Sequence, residues 1–191
     1  MKIEIISGSP RTATVTKRVA IHLLNKLKQV QDLTVGLIDI RDHQWGIIEK
    51  VCEGSHTAPS DRSEVVQRIF EADAFVLVTP EYNGSYSPAL KNFLDHFPKQ
   101  SQKVFGIVTA SPGAFGGIRA ALQVQTLIYG LMGIGSPQML IVPEVESKFS
   151  EDGSLLNEKF VESIELFTEK FLWLSRAVVY SKRPDAVKKC A

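Results

Sequence analysis

The residues best suited to chemistry fall in three short segments. The first, Gly8-Ser9-Pro10-Arg11-Thr12-Ala13-Thr14-Val15-Thr16, offers hydroxyls at positions 9, 12, 14 and 16, one guanidinium, and the N–H groups of a predicted helix start. A phosphate is the target these share. The helix N-terminus would add a favourable field of ~0.3–1 kcal/mol, and a charge-assisted bond from Arg11 a further ~1.5–3 kcal/mol. The second segment, Pro80-Glu81-Tyr82-Asn83-Gly84, presents an aromatic ring, an amide and a glycine. The third, Ser111-Pro112-Gly113-Ala114-Phe115-Gly116-Gly117, lets backbone come close to a planar ligand, with Arg119 just beyond. Each has a plain alternative: a capped turn, a surface tyrosine, a flexible glycine turn. Taken singly, the loops leave both readings open.

Other chemistries are excluded by what the chain lacks. There is no GxGxxG, no GxxxxGK[ST] and no GxSxG, which removes a Rossmann dinucleotide clasp, a Walker-type site and a nucleophile elbow. Cys52 and Cys190 stand far apart without a CxxC or a histidine at ligand spacing. Reduced thiols of a cytoplasmic protein are expected, with no zinc site and no disulfide framework. The four histidines are scattered; His22 and His96 fall in predicted helices as structural residues, and His56 is a candidate substrate contact. Lys+Arg 22 against Asp+Glu 21 gives no pull toward nucleic acid or acidic lipid. No apolar stretch approaches membrane-spanning length, and the N-terminus shows no signal-peptide pattern. Both point away from membrane insertion.

The elements that must position these segments read as one domain over residues 1–191, long enough to bury a core without cross-links. Strand-like runs occur at 2–7, 33–40, 74–79 and 103–109, with a fifth within 134–142. Between them lie amphipathic helices: one from about Thr14, with Val19, Ala20, Leu23 and Leu27 inward, and one capped by Ser60 or Asp61, with Val65, Val66, Ile69 and Phe70 inward. The helix over 88–97 has Ser87 as N-cap and Pro88 at its first position. Another runs over 118–132, and a long one follows Asn157, with Phe160, Val161, Ile164, Phe167, Phe171, Leu172 and Leu174 inward. Residues 41–60 read as a long loop with one helical turn near 46–51, and 181–191 as a solvated end. Alternating continuous strands and helices imply a parallel sheet covered on both faces. In such sheets ligands bind outside the carboxyl ends of the strands, at the switch point of strand order. The three polar loops follow strands one, three and four. A phosphate cradle beside a flat, amide-rich slot points to a flavin mononucleotide.

At this point the chain resembles the NADPH-dependent FMN reductases of the flavodoxin-like fold, which include quinone, azo-dye and chromate reductases. The resemblance rests on Gly8-Ser9-Pro10-Arg11, on Pro80-Glu81-Tyr82-Asn83-Gly84-Ser85 with Ala89-Leu90-Lys91-Asn92, and on Ser111-Pro112-Gly113 with Gly116-Gly117. It covers residues 3 to about 142. It implies a doubly wound α/β fold, a five-stranded parallel sheet of order 2-1-3-4-5. It further implies that Ser9, Arg11, Thr14, Val15 and Thr16 hold the FMN phosphate. Pro80, Glu81, Tyr82, Asn83 and Gly84 should border the ring system, with Ser111, Gly113 and Gly116 at its other edge. Thr14 and Thr16 depart from the family's usual Ser and Asn, and residues 41–60 lack its Leu-Pro pattern, which leaves the acceptor undefined.

The activity so implied is hydride transfer from NADPH or NADH to FMN, then reduction of a small-molecule acceptor: free flavin, quinone, azo compound or metal oxyanion. The cofactor carries that chemistry, so no catalytic side chain is needed. One exposed flavin face serving donor and acceptor in turn implies ping-pong kinetics. Arg11, Arg41 and Arg119 each could meet a donor 2′-phosphate. A homodimer or homotetramer built near helix 88–97 is implied by the resemblance, although core packing accounts for most of that helix's apolar residues. The alternatives are a flavodoxin-type electron carrier, which would tend to be more acidic, and a non-catalytic flavin-binding module. A receiver-type domain is set aside because the first loop lacks paired acidic residues for magnesium.

Overall fold

A computed structural model describes residues 1–182 of the chain. The expected solvated end therefore lies, beyond Lys182, outside the described residues. Four long strands form the centre: β1 (Lys2–Ser7), β2 (Thr34–Asp39), β3 (Ala74–Thr79) and β6 (Val104–Ala110). All are parallel, in spatial order β2-β1-β3-β6, and β3 and β6 are buried along their whole length. That burial explains why they read as unbroken apolar runs rather than alternating ones.

The fifth sheet position is shared by two short strands, which makes the sheet six-stranded. Strand β7 (Ile134–Gly135) pairs with the start of β6 and β8 (Leu140–Val142) with its end. Pro137 lies in the gap; it has no N–H to give a ladder. The 2-1-3-4-5 winding holds with that split.

Helices α1 (Thr16–Lys28) and α6 (Val161–Ser181) cover one face, and α2 (Ser63–Glu71), α3 (Pro88–Asp95) and α4 (Ile118–Gly130) the other. On the first face Phe167 and Phe171 stack and join Val19, Leu23 and Val108. On the second Phe75 and Phe105 stack beneath Val66, Ile69 and Phe93. Each such side chain, fully buried, contributes on the order of 1.5–3 kcal/mol. Leu90, Phe93, Leu94 and Phe97 are all buried in this core, so the apolar stripe of α3 is used within the chain.

Several expectations are corrected. Residues 46–51 form no helical turn; a 3-10 turn lies at Ser55–Thr57 instead, where Glu53 and Gly54 N–H donate to Thr57 Oγ1 at 2.8 and 3.2 Å. Helix α2 starts at Ser63 without a side-chain cap, and Phe70 is exposed at its end. Val161, at the first turn of α6, is likewise exposed. The other elements are a hairpin of β4 (Glu81–Tyr82) and β5 (Ser85–Tyr86), the short helix α5 (Val145–Lys148), and a 3-10 turn at Glu158–Phe160 that Asn157 caps ahead of α6.

Candidate functional site

The parallel winding puts all three polar loops at the carboxyl edge of β1, β3 and β6. Strand order reverses between β1 and β3, and loop one begins there. Gly8 N–H donates to Val78 O at 2.8 Å, and Gly8 O accepts from the Ser87 hydroxyl. Ser87, fully buried, also accepts from Leu90 N–H at 3.0 Å as the N-cap of α3. One residue thus caps a helix and ties loop one to loop two.

Within loop one, buried Ser9 accepts from Arg11 N–H at 3.4 Å, and Thr14 Oγ1 accepts from Thr16 N–H at 3.2 Å. Helix α1 then starts at Thr16, with Val15 at the N-cap position and no side-chain cap. Thr16, its first residue, is 1% exposed and its hydroxyl has no partner among the described residues. A buried orphan hydroxyl costs roughly 1–3 kcal/mol. An uncapped helix start beside such a group is suited to an anionic ligand.

Loop two is more ordered than an open turn. Asn83 and Gly84 have φ of 51° and 83°, the left-handed pair that joins β4 to β5. The Asn-Gly dipeptide is a strong hairpin signal, readable in the sequence and not read there. Tyr82 OH is buried without a hydrogen-bond partner among the described residues, while its ring lies 4.9 Å under the Arg11 guanidinium. Glu81 accepts from Arg119 Nε at 2.7 Å, which joins loop two to α4.

Loop three is closed by its own backbone. Ser111 N–H donates to Val142 O at 3.1 Å, Gly113 N–H to Ser111 Oγ at 3.0 Å and Gly116 N–H to Gly113 O at 3.2 Å. Gly116 has φ 61°, and a Cβ there would lie 2.7 Å from Ile141 Cγ2 and 2.8 Å from Pro143 N. The loop's own packing requires that glycine. Gly113 has only Ser111 Oγ within van der Waals range of a Cβ, so its backbone is open to a neighbour. Beneath this loop Thr109 Oγ1 is buried, with no hydrogen-bond partner among the described residues.

The contacts Arg11–Tyr82, Ser87–Gly8 and Glu81–Arg119 bring the three loops into one edge. Each contributes sequence-predicted residues to it: Ser9, Arg11, Thr14, Val15 and Thr16; Pro80 to Gly84; Ser111, Gly113 and Gly116. Of the three arginines named for a donor phosphate, Arg41 is paired with Asp39 and Arg119 with Glu81. Arg11 has no carboxylate partner among the described residues. His56 lies on the exposed 3-10 turn, while His22 and His96 bond Gly153 O and Gly46 O. No group of side chains among the described residues could hold a metal ion. Cys52 is a buried free thiol, and Cys190 lies outside the described residues.

Two cavities flank loop one. The larger, about 680 Å³, is walled by Pro10, His43, Trp45, Arg62 and Asn92 among others; the smaller, about 440 Å³, by Thr12 to Val15, Lys17, Arg18 and two glutamates. Arg41 lines both. Several residues here escaped sequence reasoning. Asn92 Nδ2 donates to Gly46 O at 2.8 Å and Asn92 Oδ1 accepts from Ile48 N–H at 3.2 Å, holding the 45–48 segment onto α3. An Asn and a His four apart, on the stretch that also carries the buried Phe93 and Phe97, was the available signal. Asp39, ending a buried strand, was another. Burial would raise its pKa, yet Arg41 and Lys17 bring it below the usual carboxylate value.

Known proteins are similar to this chain in sequence and in fold. A family model described as NADPH-dependent FMN reductase matches residues 1–150. A curated relative, an FMN-dependent NADPH-azoreductase of Staphylococcus saprophyticus, is 28% identical over 182 residues, covering 90% of this chain and 94% of its own. Among solved structures, the flavoenzyme FerB, an NAD(P)H:(acceptor) oxidoreductase of Paracoccus denitrificans, superposes with TM-score 0.73 at 22% identity, covering 92% of this chain and 97% of its own. The apo form of an NADH:FMN oxidoreductase superposes with TM-score 0.68 at 19% identity, covering 97% and 92%. At those identities the two structures speak for the fold.

Proposed function

The chain belongs to the NADPH-dependent FMN reductase family, and on that premise we propose that its three loops hold FMN and serve a small-molecule reductase. The supporting observation is the trio of buried hydroxyls of Thr16, Tyr82 and Thr109, one beside each loop and each without a hydrogen-bond partner among the described residues. A polar ligand lying along the edge would complete all three, so the residues present fit the group.

Ser9, Thr14 and Thr16 offer hydroxyls to the phosphate, Val15 and its neighbours their N–H groups, and Arg11 its guanidinium. Pro80, Glu81, Tyr82, Asn83 and Gly84 border the ring system on one side, and Ser111, Gly113 and Gly116 on the other. When bound, FMN supplies the two-electron chemistry, taking a hydride from NADPH or NADH and reducing an acceptor. The protein's own work is to bind, to orient and to limit access; no side chain is assigned as acid, base or nucleophile. The Glu81–Arg119 pair holds the hairpin against α4, keeping the ring-side wall in place. Donor and acceptor use one opening in turn, a ping-pong sequence.

The visible spectrum of the purified protein, followed by NADPH or NADH under anaerobic conditions, tests this reading. A flavin band that bleaches with donor and returns with a quinone or azo acceptor supports it, as do parallel steady-state lines. Protein that takes up no added FMN would overturn the cofactor assignment. Flavin-loaded protein that does not oxidise either donor would favour an electron carrier, and intersecting lines would overturn the ping-pong sequence.

A further inference from the structure

Arg41 stands two residues beyond the end of β2 and belongs to none of the three loops, yet its side chain is built into loop one. Its Nε donates to Asp39 Oδ1 at 2.9 Å and its Nη2 to Asp39 Oδ2 at 2.5 Å, a two-pronged bond to a carboxylate only 2% exposed. Its Nη1 donates to the carbonyls of Arg11 at 3.0 Å and Thr12 at 2.8 Å. Lys17 Nζ, from the first turn of α1, reaches the same Asp39 oxygen at 3.0 Å. A guanidinium has five N–H donors. Four are occupied by these contacts, so Arg41 has little left to offer a ligand.

The geometry has a consequence for the loop. The chain has no cis peptide among the described residues, and a planar trans peptide points its N–H away from its own carbonyl. Turning the Arg11 and Thr12 carbonyls onto Arg41 therefore turns the N–H groups of Thr12 and Ala13 the other way. Two carbonyl oxygens that would repel an anion are neutralised, and two donors are presented in their place. Lysine could keep the charge but not the fork, because an ammonium cannot grip a carboxylate on two sides while reaching two carbonyls.

We propose that Arg41, anchored by Asp39, is a positioning residue that holds loop one in its phosphate-accepting form without touching the phosphate. The proposal rests on the reading of loop one as the FMN phosphate site. The test compares FMN with riboflavin, which has the same ring and no phosphate, by quenching of flavin fluorescence on binding to the apoprotein. Wild type, Arg41→Ala, Arg41→Lys and Asp39→Asn are measured side by side, each first checked for cooperative unfolding.

Wild type is expected to prefer FMN. All three variants are expected to lose about tenfold or more of that preference, mostly as weaker FMN binding, with riboflavin affinity within about twofold of wild type. Arg41→Lys retaining the full preference would overturn the proposal in favour of simple charge attraction. Equal loss of both flavins, or failure of all three variants to fold, would overturn it in favour of a general structural role. A wild type that does not distinguish FMN from riboflavin would overturn the phosphate reading and this proposal together. A wild-type preference that survives in the variants overturns only the role of Arg41. Where Arg41→Ala alone fails to fold, Arg41→Lys and Asp39→Asn decide.

Discussion

Arg11 is the exposed cation of loop one, and its surroundings decide what it can do. Its guanidinium rests over the Tyr82 ring, a contact worth about 0.5–1 kcal/mol at an exposed site. A charge-assisted bond to a phosphate is stronger, so the side chain is free to leave the ring when an anion arrives. Arg11→Ala is expected to weaken FMN binding by about tenfold or more, since each decade corresponds to ~1.4 kcal/mol. Titration of the apoprotein with FMN reads this directly; an unchanged affinity would remove Arg11 from the phosphate site. That a phosphate could bind near Arg11 was legible from residue types alone. That Arg119 was already engaged was not, because Glu81, 38 positions away, reaches it only through the fold; the Asp39–Arg41 pair, two residues apart, was a local signal left unread.

Helix α3 shows the same division at the scale of an element. Its start was readable because Ser87 and Pro88 are local signals, and Ser87 does accept from Leu90 N–H. The bond from the same hydroxyl to Gly8 O spans 79 positions and no local pattern announces it. Ser87→Ala should therefore cost the usual ~0.5–2 kcal/mol of a lost N-cap and fall at the upper end of that range, because Gly8 O also loses its donor. Urea unfolding of the apoprotein measures it; a loss near zero would show that neither bond matters. The segment after β2 was less legible for a related reason. It lacks periodicity, and its course is set by Asn92 and His96 of α3 rather than by its own residues.

For the whole molecule, His22 joins the first helix to the segment that follows the sheet. Its Nδ1 lies 2.9 Å from Gly153 O, and its ring meets Phe149 edge-on at 5.1 Å. Burial lowers its pKa below the ordinary 6.5, with Lys26 adding to the effect and the Gly153 carbonyl opposing it. Between that lowered value and about 6.5 the unfolded chain binds more protons than the folded one, so stability rises with pH across the window. Unfolding free energy should accordingly fall as pH drops below about 6.5, and His22→Gln should flatten the slope. Urea titrations at several pH values check this; identical slopes in both proteins would refute it. Among the helices, α4 exposes Ile118, Leu122 and Tyr129 and α6 exposes Leu166 and Trp173, whereas the apolar stripe of α3 is buried.

The sequence by itself determined the alternation of strands and helices, the loops at the carboxyl edge and the phosphate-friendly composition of the first of them. These follow from periodicity, capping and residue type, which act over a few residues. Only the tertiary structure decided that Arg119 is engaged by Glu81, why Gly116 must be glycine, how the last sheet position is divided around Pro137, and that Arg41 holds loop one. Those outcomes depend on groups far apart in the chain meeting at hydrogen-bond or van der Waals distance. Such meetings are specified by packing, and packing has no local signature.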